Sequence, residues 1–188
     1  LDNWIYSANH TVRFRNTSGA PPTWIREETV TRGQWGISHD DVGRLFYNSN
    51  SDQIRGDLLP THYLTRNPNL KSPVGVNAQL AKSQQVWSAR VNPGVNRGYQ
   101  PNTLTAEGKL ASFTAACGPL VYRGNQFPED FRGDVFLCEP SANLIRRNKL
   151  TEQDGVITAS NAYESDEFLT STDERFRPVN LQYGPDGA

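Results

Sequence analysis

The chain of 188 residues contains no methionine, two cysteines and no excess of either charge: 19 basic and 20 acidic side chains leave a formal net charge of −1. Each shortage excludes something. Balanced charge leaves no electrostatic footprint for a nucleic acid or an anionic membrane surface, so the arginine-bearing pieces RNPNL and RVNPGVNRGYQ do not read as an RNA-binding loop. No apolar run approaches the roughly 18 residues that cross a bilayer, so no transmembrane segment is expected. Cys117 and Cys138 form neither a C-x-x-C nor a C-x-x-C-H pattern, which excludes a zinc knuckle and a c-type haem attachment within the chain. Their strands are expected to pair, so either a disulfide or two small buried thiols fits. The chain begins at a leucine that reads as mid-strand and ends after a turn that should feed another strand, so it reads as a piece of a larger fold.

What is present is strand, turn and strand again. In CGPLVYRGNQFPEDFRGDVFLCEPSANLIRRNKL, residues 117–150, a short apolar run closes at Gly124. After Gly133, Val135 and Leu137 alternate with Asp134, Phe136 and Cys138. That period of two belongs to a sheet. Pro140-Ser141-Ala142-Asn143 then turns the chain into Leu144–Arg146. The design recurs around Asp41-Val42-Gly43, between strands expected at Gln34–Ser38 and Arg44–Asn48. It recurs again where Phe176, Val179, Leu181 and Tyr183 lead into Gly184-Pro185-Asp186-Gly187, and an incomplete copy begins at Trp4–Ser7.

Four imperfect copies of strand, turn and strand predict an all-β repeat fold: part of a β-propeller made of four-stranded antiparallel blades. Residues 1–31 read as the end of one blade, 32–116 as a blade with a long insertion, 117–174 as a third and 175–188 as the start of the next. Within 49–112, frequent proline, asparagine and glycine leave no long strand or helix expected except across Asn77–Trp87. The acidic run of Glu164, Asp166, Glu167, Asp173 and Glu174 reads as a solvated connection. His10 follows the first strand, as a cavity-facing or a solvated turn residue, and His62 has no nearby metal-ligand partner in sequence.

Arg175-Phe176-Arg177 stands at the start of a strand, where residues two apart share a face, so both guanidinium groups can serve one ligand bearing carboxylates. Surface arginines answering the acidic run are the plain alternative. Arg32 precedes the strand Gln34–Ser38, and Arg123 ends the strand Leu120–Tyr122. Asn48-Ser49-Asn50-Ser51-Asp52 offers the hard oxygens that calcium prefers. A calcium-dependent lactonase-like hydrolase would need several inward carboxylates, and Asp52 alone is a candidate.

YRGNQFPEDFRGDVFLCEPSANLIRRNKL followed by DERFRPVNLQYGPDGA resembles the glucose/sorbosone dehydrogenase family, six-bladed propeller quinoproteins that use pyrroloquinoline quinone (PQQ) and calcium. The wording is most similar to putative membrane-bound dehydrogenases in which the propeller is joined to a separate c-type haem domain. The resemblance implies that Arg175 and Arg177 match the R-x-R that holds the quinone. It also implies cofactor contacts at Arg123, in place of a lysine, and at Arg32, and calcium oxygens at Asn50, Ser51 and Asp52. Gly33 stands where the family has an asparagine, and Ser51-Asp52 where it has Gly-Pro. The general-base histidine is expected upstream of Leu1. The resemblance implies oxidation of an aldose or related sugar or alcohol, an electron acceptor such as a c-type cytochrome domain, and a periplasmic or secreted protein. A propeller that has lost the cofactor and serves as a binding or docking module is the alternative.

Overall fold

The computed structural model describes residues 3–29, 33–60, 63, 66–70, 74–95 and 98–187. Its elements are twelve strands and one short 3-10 turn, Glu129–Phe131, so the fold is all-β. Three antiparallel sheets follow one another along the chain. The first holds β1 (Trp4–Tyr6), β2 (Val12–Asn16) and β3 (Trp24–Glu28). The second runs in the order β4 (Ile37–His39), β5 (Leu45–Ser49), β6 (Asp52–Asp57) and β7 (Ala78–Gln79). The third contains β8 (Cys117–Val121), β9 (Val135–Glu139), β10 (Leu144–Gln153) and β11 (Val156–Asn161), with β12 (Leu169–Thr170) paired to the start of β10.

Turn chemistry fixes these hairpins. Asp40 Oδ1 accepts the amides of Val42 and Arg44, while Gly43 takes a φ of 88° that a side chain would resist. Between β9 and β10, Glu139 Oε1 accepts the Ser141 amide and Asn143 takes the left-handed conformation at φ 56°. Asp154 and Gly155, both at positive φ, close the β10–β11 hairpin.

The first strands of the second and third sheets lie side by side and point the same way. The Gly118 amide donates to Trp35 O (2.9 Å) and the Val121 amide to Ser38 Oγ (3.1 Å). On the other flank of β8 runs the segment 178–187, also parallel to it: Pro178 O lies near Cys117 Sγ, and Tyr183 bonds to Val121 O. Three parallel leading segments side by side, each of the first two followed by an antiparallel meander, are arranged as in part of a β-propeller. A strand was expected after Arg177. The segment runs alongside β8 without a ladder, because no described strand lies antiparallel beside it to supply one.

The core fills the space between the second and third sheets. Phe46 and Ile54 meet Val121, Val135, Leu137 and Leu144 there, and Leu80, Val86, Leu110 and Phe113 from the long connection join them. Two expectations need correcting. Residues 52–57 form β6, a full ladder partner of β5, so Asn50-Ser51 is a hairpin turn and not an open polar loop. The residues after β7 are not a plain surface insertion: the backbone pairs Val86 to Ala111 and Phe113 to Gln84 fold them back over the core they help to fill.

Candidate functional site

The topology creates two ends. Side chains that precede a first strand gather at its leading end; those that follow it gather at the trailing end. At the leading end, Arg175 and Arg177 are exposed and flank the half-buried Phe176. The Arg175 amide bonds to Asp173 Oδ1 (2.9 Å). The Arg175 guanidinium has no partner among the described residues. Arg177 donates Nε to Glu174 O (2.8 Å) and Nη1 to Pro140 O (3.2 Å), which leaves Nη2 open. Beneath them Asn143, wholly buried, donates from Nδ2 to Phe176 O (2.8 Å), and its Oδ1 accepts Arg90 Nη1 (3.4 Å). The turn that carries the pair is therefore anchored to the β9–β10 hairpin.

Arg123 is not part of that constellation. Its amide donates to Tyr183 Oη (2.7 Å), and its Nη1 lies 3.4 Å from Asp41, which also pairs with Arg132 at 3.4 Å. It borders a separate hollow of about 350 Å3 with Arg44, Arg132 and Glu129. The interval from Pro178 to Tyr183 along β8 separates the two places by about 16 Å at ~3.3 Å per residue. Among the described arginines, Arg123 stands apart from Arg175 and Arg177, and the reason is topological: Arg123 trails its strand, whereas Arg175 and Arg177 precede the segment 178–187. Arg32 and His62 lie outside the described residues.

The calcium donors fit poorly. Asp52 Oδ2 accepts Arg55 Nε at 2.6 Å and Oδ1 faces Gln84 Nε2 at 3.5 Å, so its charge is already matched. The Asn50 carbonyl accepts the Ala116 amide (3.0 Å). Ser51 is exposed at the turn. Among the described residues, no three His, Cys, Asp or Glu side chains come together. Asn50, Ser51 and Asp52 therefore have partners within the protein or lie open at the turn, and Asp52 is the one carboxylate among the three. His10 makes a local turn contact with Ser7 Oγ (2.8 Å) and is exposed.

The sequence comparison decides the family: the family described as Domain of unknown function (DUF7133) matches residues 1–188. The chain belongs to the DUF7133 family. No curated protein and no solved structure matches it.

This DUF7133 chain also buries charges that the sequence reading passed over. Glu167, expected on a solvated face, has a fully buried side chain that grips Arg146, itself 2% exposed, through Nε at 2.8 Å and through Nη2. Burial pushes the Glu167 carboxyl above its ordinary pKa, and the Arg146 charge opposes the rise. Arg147 projects to the other face of β10, where it bonds Asp134 (2.6 Å) and lies 3.5 Å over the Phe131 ring. Two adjacent arginines following Leu144-Ile145 at the start of β10 were the available signal, since each must find an acid on its own face.

The cysteines are free, buried and directly opposite each other across β8 and β9. Burial pushes both thiols up to about 12. Glu139 is buried below them. Its Oε2 accepts the amides of Thr114 (2.9 Å) and Ala115 (2.8 Å), and burial outweighs these bonds to raise its pKa.

Proposed function

We propose that this DUF7133 chain is part of a propeller dehydrogenase that binds a quinone of the PQQ type at its leading end and oxidises an aldose or related alcohol. One observation carries this reading: Arg175 and Arg177, two residues apart at the leading end and flanking a Phe176 anchored through Asn143, are exposed with guanidinium N–H groups still available. PQQ bears several carboxylates, and a pair of planar guanidinium groups suits them because each can donate two parallel N–H bonds. When bound, the quinone supplies the hydride acceptor. The residues of this chain hold and orient it, and their positive charge favours its reduced form. Arg123, paired with Asp41, takes no part in this reading. In this reading electrons pass to a c-type cytochrome domain, and the protein works in the periplasm or outside the cell.

A second reading has its own support. Asp52 is matched by Arg55 and Arg123 by Asp41, so two positions that the resemblance assigns to calcium and quinone are satisfied within the protein. That pattern suits a propeller that has kept the scaffold and serves as a binding module. Titration of the full-length protein with PQQ, followed by quinone absorbance and by dye reduction with a panel of aldoses, separates the two. Uptake that disappears in an R175A/R177A variant supports the enzyme. Absence of uptake with an intact fold supports the module.

A further inference from the structure

Away from the axis, the connection after β7 crosses the outer strands of the third sheet and leaves a groove on either side of Trp87. One hollow, about 500 Å3, is lined by Trp87 and Gln85 with Thr158, Ser160 and Glu164. The other, about 460 Å3, shares Trp87 and Gln85 and continues past Ser165. Each is of the size that a small organic ligand fills.

Four polar groups of the first hollow are uncommitted: the Gln85 side-chain amide, the Thr158 and Ser160 hydroxyls and the Glu164 carboxylate have no hydrogen-bond partner among the described residues. Glu164 also holds a left-handed φ of 52°, a conformation that glycine or asparagine adopts at lower cost.

The backbone that presents Trp87 is fixed from below. Glu167 Oε1 accepts the Trp87 amide (3.0 Å), and Arg146 Nη1 donates to Gln85 O (2.8 Å). A buried ion pair contributes little net stability against its desolvation cost. This one spends hydrogen bonds on the two residues common to both hollows, which is how a preorganised floor is built.

We propose that this groove binds a neutral carbohydrate chain, with Trp87 as the stacking platform and Arg146 and Glu167 as positioning residues. An indole offers an apolar face to the C–H face of a pyranose ring. Amide, hydroxyl and carboxylate groups around it match the ring's equatorial hydroxyls, each of which both donates and accepts. Among the described residues that line it, the groove has no cluster of unpaired cations for phosphates: Arg146 is held by Glu167, and Lys82 and Lys109 line different hollows. A run of two hollows through one aromatic suits an oligomer better than a single ring.

The test is calorimetric titration of the full-length protein, without quinone, with cellohexaose, xylohexaose and maltohexaose, and with an uncharged hexapeptide as the competing class. At least one hexaose should bind saturably. W87A should weaken it by about tenfold or more, and the milder Q85A/S160A variant, which leaves the core untouched, by a few fold, each at unchanged melting temperature. R175A/R177A should bind the hexaose like wild type, which keeps this site separate from the quinone reading. No binding of any hexaose at about 10 mM, preference for the peptide, or undiminished binding in both W87A and Q85A/S160A would overturn the proposal.

Discussion

Replacing Glu167 with alanine removes the one carboxylate that pairs with Arg146 among the described residues. Both side chains are almost completely buried, at 0% and 2% exposure, so water cannot take its place. Arg146 would keep only its bond from Nη1 to Gln85 O, and Nε and Nη2 would lose their acceptor. The Trp87 amide would lose its acceptor as well. Breaking a buried ion pair from one side costs about 3–5 kcal/mol, and an orphaned amide adds about 1 kcal/mol or more. For a chain of this size each kcal/mol lowers the melting temperature by about 2–4 °C, so a loss of about 4–6 kcal/mol should make E167A melt roughly 8–24 °C below wild type. Urea unfolding followed by tryptophan fluorescence measures the change. The double variant R146M/E167L removes both charges and keeps apolar volume, so it should recover most of the loss. A single variant costing under about 1 kcal/mol, or a double variant as damaged as the single, would refute the reasoning.

Three further outcomes follow from the buried groups. With thiols held near 12, Cys117 and Cys138 should stay unreactive towards a thiol reagent at pH 8 in the native protein and react fully in denaturant; rapid native labelling would contradict their burial. Glu139 has a folded pKa above its unfolded one, so its contribution is fully present below the unfolded value, about 4.3, and is lost as pH rises through the folded value. Melting curves from pH 4 to 8 should therefore show E139Q gaining on wild type as pH rises, and a gap that widens in the acid direction would count against this. Calcium and a chelator should shift wild type and D52N melting temperatures equally, because Asp52 is occupied by Arg55; a calcium response abolished by D52N would restore that site.

The hairpins were legible because their turns carry local chemistry. Gly43, Gly155, Asp154 and Asn143 all take the positive φ that their residue types predict. β6 was hidden because DQIRGD has charged residues at strand positions. Asp52 is answered by Arg55 three residues on, and Asp57 by Tyr47 on the neighbouring strand, which no local pattern reveals. Glu167 was hidden for the same reason: it sits in an acidic run, and its partner lies 21 residues back on another strand. The candidate site was half legible. Arg175 lies in the turn closed by the bond from the Phe176 amide to Asp173 O, so the strand period does not govern the pair, and grouping Arg123 with them ignored strand direction. Parallel first strands send a residue that follows one strand to the opposite end from residues that precede the next.

The most direct measurement is the binding of PQQ to the full-length protein, by equilibrium titration on wild type, R175A/R177A and R123A. A quinone site at the leading end gives saturable uptake in wild type and R123A and none in R175A/R177A. Uptake that survives R175A/R177A but is lost in R123A, or no uptake by any of the three folded proteins, would contradict it.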